Sequence, residues 1–329
     1  MVELEERRMN KRLLAIVLVI IVVIAAISVA FLLMPSGDRE MDLKVAYSEK
    51  MNYETLMVAN DMGYFDDAGL NVTPAIVTGG IQAAEAIVTG SADVAAMGDA
   101  PAVLLISKGI GAKIIARVAG SEGMHRVIAD ANITEPKDLE GRKVGMQQSS
   151  SSHGAFLQWC KAKDVNTENV TFVYLNPSYL AEAMYSGEID AMVGSEPWAI
   201  NTENLCGDAV HELGSSSGLG SSFPIVLVAS HKALTEKGEA LSRLLEALDR
   251  ANDHINDHWN DSMAICASHT GLTVEDQSKG SGLQFFELGF NATDVQSMTM
   301  TAMGLMDFGK IASVPMIMDH VDLSYLPEE

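Results

Sequence analysis

Apolar positions along this chain fall into three rhythms. Residues 13–34 form an unbroken, almost wholly aliphatic run without a charge. At about 1.5 Å per residue, a run of this length spans the roughly 30 Å hydrocarbon layer of a membrane. Short apolar runs recur at 43–47, 94–97, 143–146, 191–193 and 225–229, and they suit buried strands. Beyond His231 the period lengthens. Leu241, Leu244, Leu245, Leu248 and Ile255 make the stripe of an amphipathic helix. Met298, Met300, Met303 and Met306 are expected to fill gaps in the core.

Part of the pattern is duplicated. Ala84-Glu85-Ala86-Ile87-Val88-Thr89-Gly90-Ser91-Ala92-Asp93 reads against Ala181-Glu182-Ala183-Met184-Tyr185-Ser186-Gly187-Glu188-Ile189-Asp190, and 43–47 reads against 142–146 at nearly the same offset. Each unit predicts a strand, a helix stopped at Gly90 or Gly187, and a second strand. Strand–helix–strand with short links is the right-handed crossover of a parallel sheet. Two such units predict two α/β lobes, each a mostly parallel sheet flanked by helices. A polar turn at 135–141 leads into the second lobe. The Gly/Ser-rich stretch 214–222, flexible by composition, precedes the strand at 225–229. The expected organisation is a cytoplasmic N-terminus (1–12), a transmembrane anchor (13–34), a linker (35–41), lobe I (42–126), lobe II (127–223), and the rest of lobe I with C-terminal helices (224–329). Two crossings between lobes make a hinge.

Charge orients the anchor. Arg7, Arg8, Lys11 and Arg12 precede the apolar run, while Asp38, Glu40 and Asp42 follow it. Positive-inside logic then predicts a single-pass protein whose body is extracytoplasmic. A cleaved signal would have an apolar core of about 7–15 residues and a small-residue cleavage site, and Phe31-Leu32-Leu33-Met34 offers none. The formal net charge of −22 sets the surface against nucleic acid as a partner. Cys160, Cys206 and Cys266 are too scattered for a disulfide framework or a metal knuckle. A Cys160–Cys206 bridge is permitted outside the cell, but buried free thiols fit better. Glycosylation sequons begin at Asn71, Asn132, Asn169, Asn260 and Asn291.

Three segments carry a family resemblance. Gly63-Tyr64-Phe65-Asp66-Asp67-Ala68-Gly69-Leu70-Asn71-Val72, Asp138-Leu139-Glu140-Gly141-Arg142-Lys143-Val144-Gly145 and Ser195-Glu196-Pro197-Trp198 lie within a match over most of residues 42–260. The sequence resembles the nitrate/sulfonate/taurine-type periplasmic binding proteins, a family that also holds binders of a thiamine pyrimidine precursor. The resemblance implies a type-II periplasmic-binding-protein fold that closes over a small solute and delivers it to an ABC permease with a cytoplasmic ATPase. A monomer with no cofactor is expected.

In open α/β sheets, solutes bind beyond the carboxyl ends of the strands. That rule selects Tyr47 and Ser48, Gly79 and Gly80, and Asp99 in lobe I. In lobe II it selects Ser149, Ser150, Ser151 and His153, then Glu196 and Trp198. The serine run opens a helix, where hydroxyls, free amides and the helix dipole can cradle an anion; N-capping alone would need one serine. His153 aligns with a histidine that touches the oxyanion in nitrate-type relatives, with a structural role as the alternative. Tyr47 and Trp198 either wall the cleft or pack in the core. Glu196 and Asp99 would repel an oxyanion. A zwitterion such as taurine would reconcile both signs, with its sulfonate on the serines and its ammonium near a carboxylate.

Other chemistry is weakly signalled. His254 and His258 stand four apart, but Ile255 occupies the place where a metalloprotease needs glutamate. Gly79-Gly80 lacks the lysine of a phosphate-binding loop. No catalytic constellation stands out. The expected function is capture of a small anionic or zwitterionic solute of the sulfonate, taurine or nitrate kind. A heteroaromatic pyrimidine-like ligand is the alternative within the binding class. A single-turnover pyrimidine synthase is the enzymatic one, disfavoured because such enzymes carry a tight cysteine cluster. A sensing ectodomain would need a cytoplasmic output domain, and about 12 residues precede the anchor.

Overall fold

The computed structural model describes residues 41–327. The expected anchor at 13–34, and all but the last residue of the linker, lie outside the described residues. Among the described residues no helix is long and apolar enough to cross a membrane.

The chain begins with β1 (Met41–Tyr47), α1 (Glu54–Asp61), α2 (Tyr64–Asp67), β2 (Leu70–Ile76), α3 (Gly80–Thr89), β3 (Val94–Gly98), α4 (Asp99–Ile106) and β4 (Lys113–Gly120). It continues through β5 (Arg126–Asp130), β6 (Lys143–Met146), α5 (Ser151–Ala162), β7 (Thr171–Tyr174), α6 (Leu180–Tyr185), β8 (Ala191–Gly194), α7 (Trp198–Cys206) and β9 (Val210–Ser215). It closes with β10 (Ile225–Ala229), α8 (His231–Glu236), α9 (Gly238–Asp257), α10 (Trp259–Thr270), α11 (Val274–Ser281), β11 (Phe285–Gly289) and α12 (Ala292–Asp307).

Two sheets result. One has the order β2-β1-β3-β10-β4-β11, the other β7-β6-β8-β5-β9. In each, three parallel strands adjoin an antiparallel one, β10 or β5, which immediately follows a passage between the sheets. The chain makes that passage between Gly120 and Arg126 and returns between Ser215 and Ile225.

The duplicated pattern does the same structural work in both sheets. Gly90 and Gly187 end their helices at φ of 72° and 71°, a left-handed conformation that disfavours any residue with a side chain. The aspartate three residues later then ties the turn to the first strand. Asp93 accepts the Lys44 amide at 2.9 Å, and Asp190 accepts the Lys143 amide at 2.8 Å. Each aspartate amide returns a 2.8 Å bond to the carbonyl of the same lysine.

Apolar side chains cover both faces of each sheet. Leu43 and Val45 of β1 pack with Leu241, Leu244, Leu245 and Leu248 of α9, while Ala95, Met97 and Val226 face Val103 and Met298. Every residue of the expected α9 stripe is fully buried. In the second sheet Val144 and Met146 meet Phe156 and Trp159 on one side, and Ile128 and Met192 meet Leu180 on the other.

Two sequence expectations change. Among the late methionines Met298 is fully buried, whereas Met303 is 50% and Met306 38% exposed. The inward face of α12 runs through Asp294, Ser297, Met298, Thr301, Ala302 and Leu305, so its period turns the other two outward. The Gly/Ser seam is also anchored more firmly than its composition suggests. Ser216, Ser221 and Ser222 are buried, with Ser216 Oγ donating to the Glu122 carbonyl at 2.6 Å and Ser222 Oγ to Asp294 at 2.8 Å. All three cysteines are free.

Candidate functional site

A cavity of about 270 Å³ opens between the carboxyl ends of the two sets of parallel strands. Its wall takes loops following β1, β2 and β3 on one side and β6, β7 and β8 on the other, with the Met124–His125 crossing behind. Of the residues the sequence nominated, Ser48, Gly79, Gly80, Ser150, Ser151, Glu196 and Trp198 line it. Tyr47, Asp99, Ser149 and His153 do not.

The reasons differ. Tyr47, at the end of β1, points into the first core, where burial and then the charges of Glu49 and Asp61 push its phenol up to about 12. Ser149 is a left-handed residue (φ 62°) whose amide donates to His153 Nδ1 at 3.2 Å. His153 itself is buried against the edges of Phe172, Tyr174 and Phe308. Burial, with Lys310 nearby, lowers its pKa to about 4.

The N-termini of α3, α4 and α5 meet at the cavity wall. Gly80 opens α3 so tightly against α4 that an added Cβ would lie 3.1 Å from Pro101 and 3.3 Å from Met97. An added Cβ on Gly98, the residue before α4, would lie 2.6 Å from Ser151 Oγ at the start of α5. First-turn amides have no partner within their own helix, so α3 and α5 direct donors and positive dipole ends to one place from opposite sheets.

The serine hydroxyls are mostly turned to the protein. Ser150 caps α5, accepting the His153 amide at 3.3 Å while donating to the Gln147 carbonyl at 2.8 Å. Ser151 hydrogen-bonds Asp99, which is fully buried and also receives Thr301 Oγ1 and the Ala100 amide. Burial raises the Asp99 carboxyl against these donors. Ser152 Oγ lies 3.1 Å from His125 Nδ1.

Glu196, at the cavity wall, has both carboxylate oxygens engaged by the protein. Its Oε1 receives Arg126 Nη1 at 2.7 Å, and its Oε2 receives the Ile200 amide at 2.9 Å. Arg126 also binds Glu203 and, at 2.6 Å, Glu212, and this carboxylate cage holds its guanidinium charged. Burial pushes the Glu196 carboxyl up, against the pull of the Ile200 amide and Arg126.

Sequence reasoning passed over several wall residues. Lys50 and Glu196 are the charged side chains among the described residues of the lining, and Lys50 Nζ lies 5.3 Å from the centre of the Trp198 ring, across the cavity mouth. Lys279 reaches Glu203 at 3.7 Å, also from one lobe to the other. Ser48 Oγ, Asn52 Oδ1 and His125 Nε2 are buried at the wall without a hydrogen-bond partner among the described residues. Asn52 (φ 83°) and Phe223 (φ 38°) hold left-handed backbones there. Such non-glycine outliers gather at ligand clamps, but neither residue type announces one in sequence.

Solved structures share this fold. The periplasmic aliphatic sulphonate binding protein SsuA from Escherichia coli superposes with a TM-score of 0.77 at 19% identity, covering 88% of this chain and 94% of that one. The alkanesulfonate-binding protein SsuA from Xanthomonas axonopodis pv. citri, bound to MOPS, gives 0.77 and 19%, covering 86% and 99%. A Brucella abortus protein named as a binding protein is 25% identical over 248 residues, 74% of this chain and 76% of its own length. The fold is therefore the two-sheet α/β fold of the periplasmic binding proteins. Residues 50–261 match the model of the NMT1/THI5-like family, and the chain belongs to that family.

Proposed function

We propose that this protein is the extracytoplasmic solute-binding component of an ABC importer and that it captures a small organosulfonate. The observation that carries the reading is the meeting of the α3 and α5 N-termini, one from each lobe, on a cavity whose one acidic side chain among the described residues is already paired with Arg126. Amides and helix dipoles suit an anion that remains ionised. Met124, Leu180, Phe223 and Trp198 supply an apolar wall for its tail. Both SsuA proteins bear sulfonate-binding names, which agrees with this chemistry.

The sites of contact follow. Ser48, Gly79, Gly80 and Ser151 bind the head; Trp198 with Lys50 closes over the tail. Asp99 positions Ser151 from behind the wall, Glu196 positions Arg126 from within it, and Tyr47, Ser149 and His153 are structural. With Glu196 held by Arg126, no carboxylate of the lining remains for an ammonium group among the described residues. Alkanesulfonates with uncharged tails fit better than taurine. Capture rather than conversion is supported by the engagement of the Ser150, Ser151 and Ser152 hydroxyls with Gln147, Asp99 and His125. In this reading residues 13–34 tether the protein to the outer face of the cell membrane, where it docks on a permease driven by a cytoplasmic ATPase.

Calorimetry on the purified full chain tests the assignment with methanesulfonate, 1-butanesulfonate, taurine, nitrate and a hydroxymethylpyrimidine. Tightest binding is expected for 1-butanesulfonate. Preference for the pyrimidine would sink the reading, and preference for taurine that Glu196→Gln removes would sink the tail assignment.

A further inference from the structure

His125 stands on the first crossing between the sheets, and both crossings fix it. Its amide donates to Ser216 Oγ at 3.3 Å, and its carbonyl accepts the Ser216 amide at 2.8 Å. The imidazole is 4% exposed and stands edge-on to Phe223, ring centres 4.8 Å apart. Its Nδ1 meets Ser152 Oγ, while Nε2 is buried at the cavity wall without a hydrogen-bond partner among the described residues. A buried polar atom left unmatched costs free energy unless something else satisfies it. The charged side chains sharing this wall are Lys50 and Glu196, and Arg126, next along the chain, is committed to Glu196, Glu203 and Glu212. Among the described residues no carboxylate is bonded to the ring to hold a proton on it.

We infer that His125 is a specificity-determining residue that offers a neutral Nε2–H to an oxygen of the ligand's anionic head, with the Ser152 hydroxyl donating to Nδ1 and so fixing that tautomer. The inference rests on the proposed sulfonate reading and adds a residue the family resemblance did not nominate. A neutral imidazole with Nδ1 occupied is a one-proton donor with a fixed direction. It rewards a head that accepts hydrogen bonds at every oxygen, as a sulfonate does, and leaves a protonated head oxygen facing a donor. Burial drives the ring pKa down to about 3, so the donor stays neutral across the physiological range.

Calorimetry with 1-butanesulfonate, together with long-range ¹H–¹⁵N NMR of the imidazoles in the full chain, decides the matter. His125→Phe should bind at least about tenfold more weakly, the loss expected when one hydrogen bond to a charged group goes. His125→Gln, which restores an N–H, should recover part of that loss, and it keeps the test open should the Phe variant fold poorly. Wild-type affinity should stay flat between about pH 5.5 and 8.5, a window around the ordinary histidine pKa of ~6.5. NMR should show the Nε2–H tautomer, and Ser152→Ala should mix it with Nδ1–H. Undiminished binding by both variants would overturn the inference, as would an Nδ1–H or doubly protonated ring at neutral pH. Wild-type protein that binds no sulfonate yet shows the expected tautomer would overturn the sulfonate reading and, with it, the head contact. Affinity that falls steeply above about pH 6.5 would mean an imidazolium contact and sink the neutral donor.

Discussion

Replacing Gly98 with alanine tests whether the observed approach of the lobes is the binding state. The backbone there, at φ −70° and ψ 173°, accepts any residue, so Gly98→Ala introduces no backbone strain. The new methyl group would stand 2.6 Å from Ser151 Oγ, well inside contact. Ser151 opens α5 in the other lobe, and its hydroxyl escapes by rotating about χ1. Rotation breaks its hydrogen bond to the buried Asp99, which keeps Thr301 and the Ala100 amide. A hydrogen bond is worth about 0.5–1.5 kcal/mol between neutral groups and about 1.5–3 kcal/mol to a charged one, so the closed form loses about 0.5–3 kcal/mol relative to the open one. Affinity for 1-butanesulfonate should fall by about 2- to 150-fold. Overall stability should hardly change, because the lost bond joins the lobes rather than either core. Titration calorimetry and thermal melts on the wild type, Gly98→Ala, Ser151→Ala and the double variant form a cycle. In the Ser151→Ala background the nearest remaining atom is Cβ at 3.6 Å, and the alanine at 98 should cost little. An undiminished loss in that background, or wild-type affinity in the single variant, would refute the argument.

Further outcomes follow from other contacts. Arg126→Met strands Glu196, whose side chain is 2% exposed, and removing one partner of such a pair costs about 3–5 kcal/mol. A lowered melting temperature, mostly restored by adding Glu196→Gln, is the expected calorimetric result. His269 clamps Glu49 and Asp61 at 3.0 Å each. Burial lowers its pKa, but these two carboxylates outweigh burial and leave it raised. The clamp's contribution is therefore complete below about pH 6.5 and is lost as pH rises through the higher folded pKa, and His269→Gln should flatten melting temperature against pH in that window. Leu245→Ala, at a fully buried position of α9, should lower stability by about 2–5 kcal/mol in urea titrations. Lys50→Met should weaken sulfonate binding and reduce its salt dependence, since Lys50 is the cation of the cavity wall.

Legibility followed the range of the interactions involved. The two α/β units, their glycine stops and the α9 stripe were readable because each depends on neighbours a few positions away. The repeat of Gly90 and Asp93 in Gly187 and Asp190 was visible as a pattern, and its cause is a carboxylate tied to the first strand of each sheet. Loop positions beyond strand ends were also readable, which is why Ser48, Gly79, Gly80, Ser150 and Ser151 were named in advance and do line the cavity.

Which atoms face the solute was decided elsewhere. Glu196 is bonded to Arg126, 70 residues away in sequence, and Ser151 hydrogen-bonds Asp99 at the start of α4 in the opposite lobe. His125 carries no motif; its place comes from two chain crossings, Phe223 and Ser152 meeting at one point. Sequence by itself determined two α/β units with binding loops at their strand ends, because periodicity and turn chemistry are local. The tertiary structure alone decided which carboxylates are discharged and which donors stay free, because hydrogen-bond partners are allotted by proximity in space.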